Sequence, residues 1–139
     1  MDEIKREEFC SLMTVRRVAA MLDIDPDQFK EGDALPAGWQ FVLMGADTPR
    51  SRLRGDGFPG LGVPMPDLGL PRLMLAGRTV EFTRDIIIGA PIERRSKVLE
   101  IKEKTTKTGL MAVVQVSHQL FPKGECTTYH RFTAIAPFS

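Results

Sequence analysis

The apolar residues of this chain change their period once, from helical to alternating, and the change divides it into two halves. Over Thr14 to Leu22, Val15, Val18, Ala19 and Leu22 recur at i, i+3, i+4 and i+7, the signature of one buried helical face. Thr14 is placed to cap the free N–H groups of the first turn, and Arg16 and Arg17 fall on the wet side. Pro26 cannot continue a helix and biases Asp25 away from helical geometry, so the helix is expected to end near Asp23. An apolar segment follows, Gly38 to Met44, too short for periodicity to separate helix from strand; Pro36 ahead of it tips the reading towards a helix. From Thr48 to Pro71 glycine and proline are so dense that only a loop is expected, and loops of that length are functional or disordered.

Beyond it the period is two. Leu70 to Arg95 reads as a strand with Ala76, Val80 and Phe82 on one face and Thr79, Glu81 and Thr83 on the other, then a turn at Gly89-Ala90-Pro91 into a second strand, Ile92 to Lys102. The charged run Lys102 to Gly109 reads as a hairpin turn. Leu110 to Phe121 alternates Leu110, Ala112, Val114, Val116 and Leu120 against Gln115, Ser117 and Gln119. A second turn, Pro122-Lys123-Gly124, precedes a last strand from Cys126 to Ile135. One helix followed by four strands joined mostly by hairpins predicts an α+β fold. Its single antiparallel sheet has an apolar face that needs a cover, and Trp39 to Met44 is the natural occupant.

Composition narrows the class. At 139 residues the chain suits a single domain, 1–139, with room for a core. A net charge of +1 argues against a nucleic-acid footprint, and one Trp and one Tyr leave little surface for stacking bases. Cys10 and Cys126 lie far apart without metal-ligand spacing, which suits a reducing cytoplasm. No apolar run reaches the ~20 residues of a membrane span, and the start MDEIKREEF lacks the apolar core of a signal peptide, so a soluble cytoplasmic protein is expected.

Most self-contained chemistries lack their parts. There is no G-x-S-x-G nucleophile elbow, and both histidines, His118 and His130, fall inside expected strands, His118 on the apolar face. Cys126 reads as a buried thiol rather than a nucleophile. No metal cluster, cofactor or phosphate loop is expected; Arg50, Arg52 and Arg54 could hold a phosphate but read first as a solvated loop, and Gly55-Asp56-Gly57-Phe58 as a turn.

One constellation stands out. Just past the helix, Asp23-Ile24-Asp25-Pro26-Asp27-Gln28 resembles the D-x-N-P-x-H motif of the MaoC-like, (R)-specific enoyl-CoA hydratases, whose Asp and His activate water. Asp25 stands where that motif has Asn and Gln28 where it has His. An amide cannot move a proton near neutral pH, so Asp23 would be a vestige and no catalytic residue is assigned to this chain. The wider run of LPAGWQFVLMG, a Gly/Pro loop, LPRLMLAGRTVEF and GLMAVVQVSHQL is similar to the N-terminal, non-catalytic half of double-hot-dog acyl-thioester dehydratases, such as mesaconyl-C4-CoA and itaconyl-CoA hydratases.

The resemblance implies a single hot-dog fold, an antiparallel sheet wrapped around a helix. The function it implies is that of a hydro-lyase subunit in fatty acid or acyl-CoA metabolism, taking a coenzyme A or acyl-carrier thioester as substrate and needing no cofactor. In that group the C-terminal half supplies the catalytic Asp and His. The end of this chain at Ser139, where such a half would begin, implies pairing with a catalytic hot-dog chain, a homo-oligomer or both. Trp39, Phe41 and Met44 are the expected lining of the acyl tunnel, with core packing the alternative for each. Two rival functions remain: a self-sufficient homodimeric thioesterase or hydratase using Asp23 or Glu81, and a regulatory module that binds acyl-CoA.

Overall fold

The structure is a computed structural model that describes residues 3–53, 74–107, 109–123 and 129–137. The chain forms β1 (Ile4–Phe9), α1 (Leu12–Met21), 3-10 turns at Pro26–Gln28, Trp39–Leu43 and Arg50–Arg52, then β2 (Met74–Glu81), β3 (Pro91–Thr106), β4 (Gly109–Pro122) and β5 (Tyr129–Pro137). The strands make one five-stranded antiparallel sheet in the order β1-β3-β4-β5-β2.

The inner face follows from the alternation. On β3, Ile92, Arg94, Ser96 and Val98 are buried; on β4, so are Ala112, Val114, Val116, His118 and Leu120. The register sets Arg94 opposite Leu120, Ser96 opposite His118 and Val98 opposite Val116. A one-residue irregularity between Val98 and Glu100 leaves Leu99 out of step, 36% exposed, and returns Ile101 to the inner row against Val114.

The cover lies at the β1 end. Val15 and Ala19 of α1, Phe29, Leu35 and Leu43 pack with Cys10, Ile86, Ile88, Ile92 and Leu120 in one buried cluster. Val98, Val114 and Val116 make a second cluster further along the sheet. Leu43, 1% exposed, is the apolar anchor of the Trp39–Leu43 turn, so that segment does occupy the inner side. Among the described residues no helix is long and apolar enough to cross a membrane.

Several expectations are corrected. Strand β1 was not foreseen, because its alternation of half-buried Ile4, Arg6 and Glu8 with exposed Lys5, Glu7 and Phe9 is carried mainly by charged residues. The helix is capped at Ser11, without a side-chain bond, and Thr14 sits inside it. Leu22, at the C-cap, is half exposed rather than on the buried face. Arg16 is not fully wet: its guanidinium donates to the Phe29 carbonyl at 2.9 Å, tying the helix to the turn after it. Strand β2 ends at Glu81, leaving Phe82 outside and half exposed.

The turn at Gly89 does enter β3, but β2 and β3 are not neighbours. They stand near opposite sides of the sheet, and the segment between them crosses over, burying Ile86 and Ile88 and bridging Ala34 through Ile87. The charged run from Lys102 is strand as far as Thr106, paired with Gly109 to Val113. Charge there reports a solvated sheet face rather than a turn, and Leu110, opposite Thr105 near the hairpin tip, is exposed. The last strand, expected over Cys126–Ile135, is described from Tyr129 and runs on to Pro137. Arg54, the stretch 55–58, most of the 48–71 loop, Cys126 and the Gly124 turn position lie outside the described residues.

Gly89 closes the junction that launches β3. Its N–H donates to the Cys10 carbonyl at 2.7 Å, its φ is +94°, and an added Cβ would sit 3.3 Å from Glu31 Cγ. Gly89→Ala is therefore expected to destabilise the chain by about 1–2 kcal/mol, since an L-residue is strained at positive φ. Urea unfolding monitored by circular dichroism measures it.

Candidate functional site

The D-x-D-P stretch is a helix stop. The Ile24 N–H donates to the Ala19 carbonyl at 2.8 Å and the Asp23 N–H to that of Ala20 at 3.2 Å, with Asp23 at φ 59°. This is a Schellman ending in which Asp23 fills the left-handed position that glycine usually takes. Ile24 adds the accompanying apolar contact by packing on the cluster that contains Ala19. Asp25 Oδ1 then accepts the Asp27 N–H at 3.0 Å, capping the Pro26–Gln28 turn. Asp23, Asp25, Asp27 and Gln28 are all exposed. Each carboxylate placed by the motif thus faces solvent, and the Asp25 carboxylate is occupied with its own backbone.

The three expected lining residues do not act as one group. Trp39 is half buried, its ring centroid 5.4 Å from that of Phe29 in a tilted pair, and it packs on the main cluster with Met44. Phe41 is 52% exposed. In a 3-10 turn, residues two apart cannot share a side, so Trp39 and Phe41 diverge. Leu43, which lies between Phe41 and Met44 and is not among the expected lining residues, is the buried one.

Three polar residues lie on the inner face. Arg94, 4% exposed, donates from Nη1 to the Leu43 and Gly45 carbonyls, each at 3.0 Å, and has Glu8 Oε1 at 3.6 Å. Burial lowers its pKa, the Glu8 charge raises it, Arg6 lowers it and Asp47 raises it. Its Nε finds no partner among the described residues. Two residues along, Ser96 Oγ and His118 Nδ1 are 2.7 Å apart, both residues buried. His118 is therefore the interior, hydrogen-bonded histidine that its place on the apolar face implied, and its Cα partner on β5 is His130. Sequence reasoning missed Arg94 and Ser96; the signal was their place on the strand face shared with Ile92 and Val98.

The remaining candidates stay apart from this row. Arg50 and Arg52 are exposed on their 3-10 turn, and Glu81 is exposed at the end of β2. Cys10 is fully buried at the Gly89 junction; burial raises its pKa, with the Gly89 N–H working the other way. Among the described residues no three metal-ligating side chains gather.

The comparisons agree with this geometry. Residues 20–126 match the model of the FAS1-like, dehydratase domain region, and the chain belongs to that family. The mesaconyl-C(4)-CoA hydratase of Chloroflexus aurantiacus is 32% identical over 87 residues, 63% of this chain and 31% of that protein, so the match spans under a third of the relative.

Among solved structures, the ChsH1-ChsH2 complex from Mycobacterium tuberculosis superposes with a TM-score of 0.63 at 11% identity, over 98% of this chain and 85% of that one. The MaoC-like dehydratase from Rhodospirillum rubrum gives 0.58 at 16%, over 99% and 93%. R-hydratase PhaJ1 from Pseudomonas aeruginosa gives 0.55 at 17%, over 99% and 81%. At such identities the likeness is one of fold, and it is the hot-dog fold: one helix with an antiparallel sheet.

Two substitutions separate position from chemistry. Asp23→Gly is expected to leave stability unchanged or raise it by up to about 1 kcal/mol, because glycine meets no Cβ penalty at positive φ. Ser96→Ala is expected to cost about 1–3 kcal/mol, since it strips a buried imidazole nitrogen of its partner. Thermal and urea unfolding of the purified variants check both.

Proposed function

We propose that this chain is the non-catalytic hot-dog unit of an enoyl-thioester hydratase or dehydratase, and that it pairs with a catalytic hot-dog chain to form the acyl tunnel. The observation that carries the reading is the D-x-D-P turn. Asp23 serves as a left-handed helix stop, Asp25 caps its own turn, and Gln28 presents an amide where a proton-moving imidazole would be needed. His118, the histidine whose side chain is described, is buried against Ser96 rather than beside a carboxylate of this turn.

Family membership supports a hydratase or dehydratase setting, and the Chloroflexus relative supports a coenzyme A thioester as substrate. The likeness to a chain of a two-component complex supports a partner. In the assembled enzyme the partner's acid–base pair would add water across the 2-enoyl thioester. This chain would contribute the Trp39–Leu43 segment, through Trp39 and Met44 rather than the outward Phe41.

Purified alone, the chain should show no turnover of crotonyl-CoA or octenoyl-CoA, and should gain it with a catalytic hot-dog chain encoded beside it. Asp23→Asn should leave that activity within twofold. Robust turnover by the isolated chain, lost in Asp23→Asn, would overturn the proposal in favour of a self-sufficient enzyme. The tunnel role adds a contrast: Leu43→Ala should cost roughly 2–5 kcal/mol of stability as a buried truncation, while Phe41→Ala should stay within about 0.5 kcal/mol.

A further inference from the structure

The inner face of a sheet is an expensive place for a guanidinium, yet Arg94 stands there almost fully buried, with Ile92 and Val98 in the same row. Its Cα partner on β1 is Arg6, so two like charges are set side by side across the strands. What offsets this comes from one short segment and from β1. Arg94 holds the carbonyls of Leu43 and Gly45 and lies 3.6 Å from Glu8; Arg6 lies 3.6 Å from Asp47. These partners outside β1, at 43, 45 and 47, fall in the stretch that leaves the Trp39–Leu43 turn. Leu43 thus joins the sheet twice, by its buried side chain and by its carbonyl.

We propose that Arg94 is a positioning residue for acyl recognition. Its guanidinium latches the end of the Trp39–Leu43 turn to β1 and β3, and so sets how far Trp39 and Met44 stand from the sheet. The proposal rests on the reading of this segment as a tunnel wall, and it adds the group that fixes the wall. Both carbonyls meet the one nitrogen Nη1, with Glu8 beside it. A lysine ammonium stands on a shorter stem, is a strongly hydrated point charge, and does not reach the place that Nη1 fills. Releasing the latch would free the backbone of 43–47 while the strands keep their ladders. Recognition of the acyl chain would then weaken more than recognition of the coenzyme A portion.

The chain's single tryptophan reports on this wall directly. Arg94→Lys and Arg94→Met would be compared with the unaltered protein, with Asp47→Asn as the exposed-side control. Amide exchange over 39–47 should rise on the order of tenfold in both Arg94 variants, with that of β3 and β4 little changed. Titration with octanoyl-CoA, butyryl-CoA and free CoA, read by Trp39 fluorescence on the chain alone and with its catalytic partner, should show the octanoyl-to-CoA affinity ratio falling several-fold. Asp47→Asn should shift either quantity by less than twofold.

Unchanged exchange over 39–47 would overturn the latch. Faster exchange with an unchanged affinity ratio would make Arg94 a structural residue only and overturn its positioning role. If Trp39 in the unaltered protein answers to no thioester in either setting, the tunnel-wall reading fails and the recognition role with it, while the exchange data still decide the latch. Should Arg94→Met not fold, Arg94→Lys carries the same comparison.

Discussion

A charge cannot be left unpaired in a protein interior, and in this molecule that constraint governs how the front half of the chain meets the sheet. Arg94 is committed to the inner face by the alternation of β3. Left there alone it would cost several kcal/mol, far more than one hydrogen bond returns. The carbonyls at 43 and 45 and the Glu8 carboxylate must therefore come within reach, which places both the 3-10 segment and β1. The short helix then needs to cover only the end of the sheet nearest β1, where Val15 and Ala19 meet Ile92 and Leu120.

The stretch that most resembles a catalytic motif turns out to be explained by chain geometry. A helix that must stop and turn towards Phe29 needs a residue tolerant of positive φ, then an Asx cap and a proline, and Asp23, Asp25 and Pro26 supply them in order. Those structural demands and the family's catalytic pattern share the same residue types. What separates them is Gln28, whose side-chain amide cannot serve acid–base chemistry.

The resemblance carried on LPRLMLAGRTVEF and its surroundings placed the chain in its family, and periodicity alone would not have done so. The buried helical face of Val15, Val18 and Ala19 and the inner row of β4 were legible because burial imposes a repeat of 3.6 or of two on residue type. Trp39 and Met44 were legible as apolar, but not which way each would face. That depends on the 3-10 rather than α-helical pitch of Trp39–Leu43, whose last carbonyl Arg94 holds.

Local sequence, then, determined the helix, the alternation of the central strands, the stop at Asp23 and the missing imidazole at Gln28, because each depends on neighbours a few positions away. It could not determine that β1 exists, since an edge strand of Arg, Glu and Lys gains its order from pairing with β3 about ninety residues later in the chain. Nor could it show that β2 and β3 part company, or that Arg94, Ser96 and His118 form a buried polar row. Strand order and the partners of an interior charge are set by contacts between distant segments, and only the tertiary structure brings those together.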